Sequence, residues 1–252
     1  MISTLLSIIK IVFLLGLLIG IHETGHFLVA KLCKVKVNEF AIGFGPTIWK
    51  KQKNNTEYEL RLIPLGGFVR MEGEEERSEE EGSFSKASIP KRIAIVAAGA
   101  IVNIVFAIIV YFILFATMIE IPDNTFTSKI NFAATETGEF VFTTIDGLRM
   151  LFTGQTSTAQ LIGPVGISEV VSKTDGIVEF IYMLALISLS LGVTNLLPFP
   201  PLDGGKIVIL IIEAIRRKPM KENIEVGIQM AGFCILIGLS IFVTYNDILR
   251  IF

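Results

Sequence analysis

The stretch His22-Glu23-Thr24-Gly25-His26 lies inside an apolar run that extends from about Ile2 to Ala30. In a helix, residues four apart share a face, so the two imidazoles can hold one zinc ion with Glu23 beside the metal-bound water. The chain has no other histidine. Ionisable groups inside such a run are costly and tend to be functional, which favours a zinc site over a polar pair satisfied inside a helix bundle.

Apolar runs of membrane-spanning length recur along the chain. The 252 residues are 52% hydrophobic and only 18% charged, with a mean hydropathy of +0.66, whereas soluble domains are about a quarter charged. A span needs about 20 residues. The first run carries Lys10 and has no basic segment before it, so we interpret it as a retained span and not a signal peptide. The sequence predicts a membrane α-helical protein with four transmembrane helices, at about residues 2–30, 93–119, 177–201 and 226–245.

The distribution of Lys and Arg predicts the orientation. The segment 31–92 holds twelve of them, 120–176 holds three and 202–225 holds five. Because positively charged loops stay in the cytoplasm, both termini are expected on the extracytoplasmic side. The HETGH turn then lies in the membrane toward the cytoplasmic side. The net charge of −2 gives no basic field, so nucleic acid is not an expected partner.

The segment between the first two spans has a different composition. Residues 35–71 are rich in β-branched and aromatic side chains and are interrupted by glycine and proline, a pattern typical of β-hairpins. Residues 72–81 contain seven glutamates, which predicts a solvated surface loop.

A catalytic zinc normally has three protein ligands, so a third must come from elsewhere. With no further histidine, the candidates are a carboxylate or, as a weaker alternative, Cys33. Asp203 is the best candidate, because prolines break the helix just before it and glycines follow it within Asn195–Gly205. The alternative is a turn aspartate that caps a helix beginning near Lys206. With both termini outside, the first and third spans run in the same direction, so Asp203 and the HETGH turn reach similar depth.

Four motifs together resemble the site-2 protease family of intramembrane zinc metalloproteases. They are HETGH, Gly43-Phe44-Gly45, Gly163-Pro164-Val165-Gly166 and the Asn195–Gly205 stretch NLLPFPPLDGG. The resemblance covers roughly residues 1–119 and 145–245 and is closest to the bacterial branch that cleaves membrane-bound anti-sigma factors.

The resemblance implies a role for individual residues. His22, His26 and Asp203 would be the zinc ligands and Glu23 the general base. Asn195 would contact the substrate backbone, with an interhelical hydrogen bond as the alternative. The region 35–71 would form a membrane re-entrant β structure that pairs with an unwound substrate, although simple turn chemistry also accounts for its glycines. The residues implied in substrate binding there are Gly43, Phe44, Gly45, Leu65, Gly66 and Gly67.

The resemblance also implies an activity: zinc-dependent hydrolysis of a peptide bond in or near the transmembrane segment of single-span proteins. An anti-sigma factor or a signal-peptide remnant would be such a substrate, and the lipid bilayer of a bacterial inner membrane would be the location. The branch carries PDZ domains of about 80 to 100 residues, but residues 120–176 leave no room for one. We therefore expect a single protease domain over residues 1–252. The alternative is a non-catalytic membrane protein with a structural or sensory zinc site.

Overall fold

A computed structural model of the chain describes residues 2–120, 125–153, 164–172, 174 and 176–251. Within these ranges the elements follow in the order α1 (Ile2–Leu32), β1 (Val37–Lys53), β2 (Thr56–Met71), α2 (Ile89–Thr117), α3 (Phe126–Phe152), α4 (Pro164–Ser172), α5 (Ile177–Asn195), α6 (Asp203–Arg216) and α7 (Glu222–Ile251).

Four of the described helices are long and apolar enough to cross a membrane, as the sequence predicted. The candidate spans are Leu6–Leu32 in α1, all of α2 and α5, and Glu222–Leu249 in α7. The third span, helix α5, ends at Asn195 and does not continue to residue 201. The reason is the prolines that follow, because proline lacks the N–H that a helix interior needs.

The hairpin prediction for residues 35–71 is also confirmed. Strands β1 and β2 pair antiparallel around Asn54 and Asn55, which both have positive φ angles. Two such residues suit the tight turns that connect twisted strands. Residues 39–42 of β1 pair with β2 twice, once at 67–70 and once at 57–60. Residues 67–71 therefore have β1 as a neighbour, and no described strand pairs with their other side.

The chain divides into two compact units. One contains residues 12–102 and 194–235. Its core joins the end of α1, the base of the sheet, the start of α2 and helix α6. The buried side chains of this core belong to Ala30, Val35, Val37, Met71, Phe84, Ile95, Val96 and Leu210.

The other unit contains residues 1–11, 103–193 and 236–252. Its core includes a stacked pair, Tyr111 of α2 and Phe140 of α3, whose ring centroids are 3.7 Å apart. Helix α3 lies within the segment 120–176, for which the sequence analysis predicted no helix. The helix carries too many polar residues for a membrane span. Its buried residues Ala133, Thr137 and Phe140 share one face.

Candidate active site

Three potential metal-ligand atoms converge in the unit formed by residues 12–102 and 194–235. The Nε2 atoms of His22 and His26 are 3.2 Å apart. Oδ2 of Asp203 lies 3.2 Å from the first and 3.5 Å from the second. Ligands bound to one tetrahedral zinc at 2.0 to 2.1 Å are separated by about 3.3 Å. The spacing and the chemistry of the three donors therefore fit zinc.

The ring of His26 is oriented by the backbone of α2. Its Nδ1 lies 2.8 Å from the carbonyl oxygen of Ile95. Because a carbonyl oxygen only accepts hydrogen bonds, Nδ1 must carry the ring proton and donate it. Nε2 is then unprotonated, and its lone pair points to the side where Asp203 lies. A metal ligand requires this tautomer.

Asp203 occupies the first position of α6 and does not cap that helix. The residue before it, Leu202, has an extended conformation, and no side chain caps the helix there. Oδ2 of Asp203 is buried and accepts no hydrogen bond from the described residues. A buried carboxylate oxygen in this state fits a metal ligand and argues against the alternative of a turn aspartate that caps a helix.

Two glycines after Asp203 allow the chain to fold tightly at this point. A Cβ atom at Gly204 would overlap the carbonyl oxygens of Leu196 and Leu197. One at Gly205 would lie 2.6 Å from the nitrogen of Pro200. The loop from α5 to α6 therefore packs against the start of α6 and fixes where the Asp203 carboxylate lies.

The three ligand atoms border a cavity of about 260 Å³. Glu23 lines it together with strand β2, helix α2, the loop before α6 and helix α7. The other lining residues are Phe68, Val69, Met71, Glu74, Val96, Pro200, Pro201, Leu202, Lys206 and Gln229. A potential general base and three potential metal ligands therefore line the same cavity.

One pair of lining residues was missed by the sequence analysis. Glu74, from the glutamate-rich loop, accepts a hydrogen bond from Nζ of Lys206 at 2.7 Å, and each side chain is only about one-fifth exposed. Glu74 therefore does not fit the prediction of a wholly solvated loop. The available signal was that Lys206 follows Asp203 by one helical turn.

None of the seven predicted substrate-binding residues lines the cavity, although Gly67 lies next to it. Gly67 lies beside the base, because a Cβ atom there would be 3.2 Å from Cγ of Glu23. Phe44 packs its ring over Gly66, where any side chain would overlap it. These seven residues outside the cavity lining are Gly43, Phe44, Gly45, Leu65, Gly66, Gly67 and Asn195.

Cys33, the weaker candidate for the third ligand, lies elsewhere. It packs against the hydrophobic core at the end of α1 and does not line the cavity. Among the described residues, the group of converging ligand atoms consists of His22, His26 and Asp203.

Two histidines and a glutamate on a helix of membrane-spanning length, with an aspartate from a second helix beside them, are the arrangement of a membrane metalloprotease. Comparison with known proteins agrees. The chain belongs to peptidase family M50, whose family model matches residues 10–239. The resemblance to the site-2 protease family is thereby confirmed, and the family and its zinc-metalloprotease relatives indicate zinc as the metal.

Curated relatives align over almost the whole chain. A protein of Clostridium perfringens, named provisionally as a zinc metalloprotease, is 31% identical, with 92% of this chain and 95% of the relative covered. A similarly named protein of Clostridium acetobutylicum is 28% identical, with 96% and 97% covered. The zinc metalloprotease RasP of Bacillus licheniformis is 25% identical, with 98% and 99% covered.

Proposed function

We propose that this metalloprotease is an intramembrane endopeptidase that hydrolyses a peptide bond in or near the transmembrane segment of single-span membrane proteins. One observation carries the proposal. The ligand atoms of His22, His26 and Asp203 converge beside Glu23, and three of these four residues belong to a helix of spanning length.

Each residue of the site has a chemical task. The two imidazoles and the Asp203 carboxylate would hold the zinc, which would lower the pKa of a bound water and polarise the scissile carbonyl. Glu23 accepts the proton that water loses as it attacks the carbonyl carbon. Glu23 then donates this proton to the amide nitrogen as the C–N bond breaks, so the products are a carboxylic acid, which keeps the second water proton, and an amine.

The open side of β2 is a suitable place for the substrate. A transmembrane helix hides its peptide bonds in internal hydrogen bonds, so the segment must unwind before it can be cut. An unwound strand could add to residues 67–71, whose other side pairs with β1. Gly67 adjoins Glu23, so a strand added there would bring its backbone to the base.

The outer part of the hairpin is suited to lipid. Phe44, Ile48, Trp49, Leu62 and Ile63 are each about half exposed. Apolar side chains exposed in this way on both strands support a re-entrant placement in the membrane. Asn195, at the end of α5, would contact the substrate after it has entered.

We assign both termini to the extracytoplasmic side of a bacterial inner membrane, with the site in the membrane toward the cytoplasm. The support is the excess of Lys and Arg between α1 and α2 and between α5 and α7. Cysteine labelling in intact cells tests this. In a variant without Cys33 and Cys234, a membrane-impermeant thiol reagent should label Thr127→Cys and not Glu76→Cys. The opposite pattern would reverse the orientation.

We also propose that a single protease domain without a PDZ domain acts here, so that substrates are not selected by a folded extracytoplasmic module. The alignment with the Clostridium perfringens relative spans 320 positions. This chain supplies about 232 of them, that is 92% of 252 residues, so about 88 positions have no residue here. That difference is close to the size of one such domain.

The number of ligands favours catalysis over a structural or sensory zinc site. A structural zinc site is closed by four protein ligands, whereas a catalytic one leaves a position for water. Among the described residues, the converging group supplies three ligand atoms.

The decisive experiment is a cleavage assay with purified full-length protein and a single-span peptide in nanodiscs. We expect cleavage in or near the apolar segment, its loss with a zinc chelator and its return when zinc is added back. Cleavage that persists in the metal-free protein would contradict the proposed chemistry, and cleavage only of soluble peptides would contradict the intramembrane substrate.

A further inference from the structure

The backbone of α2 lies directly against the two imidazoles. Gly99 is buried in this helix, one turn after Ile95. A methyl group at Gly99 would lie 2.8 Å from Nε2 of His22 and would overlap Nε2 of His26. The three nearest atoms to that position are all imidazole atoms. Because Gly99 has no side chain, the space beside the Nε2 atoms of His22 and His26 stays free.

A second glycine brings the two helices into this contact. Gly25 lies on α1 one residue before His26 and is buried. A Cβ atom there would lie 2.6 Å from the carbonyl oxygen of Ala98 and 2.9 Å from Cα of Gly99. Real Cβ atoms do not approach backbone so closely, so α1 and α2 can meet at this distance only without a side chain at residue 25.

We propose that Gly99 is a positioning residue for the metal site, and that the close approach of Gly25 to Gly99 sets the distance between α2 and the zinc-binding imidazoles. This rests on the proposed function, because it assumes that His22 and His26 hold zinc. The proposal adds a requirement beyond the three ligands, namely that residue 99 has no side chain. A side chain there would occupy the space beside both Nε2 atoms and turn the rings away from Asp203.

The surroundings of another glycine show that this contact is specific. Gly20 lies on α1 less than one turn before His22, and a Cβ atom there would meet nothing within 4 Å. Gly20→Ala is therefore a matched control, with the same chemical change on the same helix. Replacing a helical glycine with alanine is otherwise expected to favour the helix.

The first test measures metal binding by the full-length protein in detergent. For Gly99→Ala we expect zinc affinity to fall at least about tenfold, as for other groups that orient metal ligands, whereas Gly20→Ala should bind like the parent protein. Cobalt absorption spectra should show altered coordination in Gly99→Ala alone. Unchanged affinity and an unchanged cobalt spectrum in Gly99→Ala would overturn the proposal.

A mutant cycle covers the case in which Gly99→Ala is too unstable for the zinc measurement. If the new methyl group clashes with the imidazoles, the loss of thermal stability should largely disappear when His22→Ala and His26→Ala are also present. If the metal-free protein loses the same stability with and without the imidazoles, Gly99 acts only in helix packing and the proposal is wrong.

The same measurements distinguish this proposal from the proposed function. If His26→Ala binds zinc as tightly as the parent protein, the metal site itself is misplaced. If His26→Ala loses zinc while Gly99→Ala keeps parent-like affinity, the metal site stands and only the positioning role fails.

Discussion

Nε2 of His22 lies 3.2 Å from Oδ2 of Asp203. The imidazole belongs to α1 and the carboxylate to the first residue of α6. Oδ2 accepts no hydrogen bond from the described residues. A cation bound between the two side chains would supply the interaction that this oxygen lacks.

Replacing Asp203 with asparagine should remove zinc. The amide keeps the size of the carboxylate but not its charge. We therefore expect the zinc affinity to fall by about two orders of magnitude or more, at least as much as for the loss of a group that orients a ligand. Activity should be lost with the metal. The measurement is zinc content after dialysis against a weak chelator. Asp146→Asn, in α3, is the control and should retain full zinc. Full occupancy in Asp203→Asn would exclude Asp203 as a ligand.

Glu23→Gln should separate catalysis from metal binding. The amide cannot accept a proton from water, and the loss of a general base typically lowers the rate by about 10²- to 10⁴-fold. Zinc content should stay at the parent level, because Glu23 is not among the converging ligand groups. Glu139→Gln, at an exposed position of α3, should retain parent activity. Parent-like cleavage by Glu23→Gln would refute the role of the base.

The parts of the site that sequence predicts best are those defined within one helix. The spacing of His22 and His26 fixes their shared face without any tertiary information. Asp203 required a further argument, in which the predicted orientation places the ends of the first and third spans at similar depth. The spans themselves could be predicted because bilayer thickness sets their length.

Other features depend on contacts that composition does not reveal. Gly99 is one of 22 glycines, and nothing in its neighbourhood along the chain indicates that it faces the imidazoles. Glu74 lies among six other glutamates, so nothing in the sequence distinguishes it as the partner of Lys206. Helix α3 was missed because its buried face packs on protein and its overall composition is too polar for a span.

A buried carboxylate in α6 should be important for stability. Glu213 is 3% exposed and accepts hydrogen bonds from Arg92 at 2.9 Å, from the backbone of Met220 at 2.7 Å and from Arg77 at 3.2 Å. Removing one partner of a buried ion pair costs about 3 to 5 kcal/mol, because the remaining charges are left without compensation. We expect Glu213→Ala to lower the free energy of unfolding by about this amount.

Denaturant titration followed by circular dichroism measures this effect, with Glu76→Ala as the control. Glu76 is exposed in the loop between β2 and α2, so its replacement should change stability by less than about 0.5 kcal/mol. Equal effects of the two substitutions would show that the ion pairs of Glu213 do not stabilise the fold.

The hairpin should lose stability in acid, because the Glu59 carboxylate becomes protonated there. Its side chain is 7% exposed. Burial of the carboxyl opposes its ionisation, but hydrogen bonds from Arg61 and Thr47 outweigh that effect and hold the pKa of Glu59 below its ordinary value. A carboxylate with a lowered pKa in the folded state stabilises the fold above its unfolded pKa of about 4.3 and loses this contribution as the pH falls through the folded value.

Trp49 can report this transition. It is the sole tryptophan of the chain and pairs with Leu60, next to Glu59. We expect its emission to stay constant from neutral pH down to about pH 4.3 and to change below it. In Glu59→Gln, whose side chain carries no charge to lose in acid, the change should be smaller. An identical acid transition in Glu59→Gln would show that this carboxylate does not hold the hairpin together.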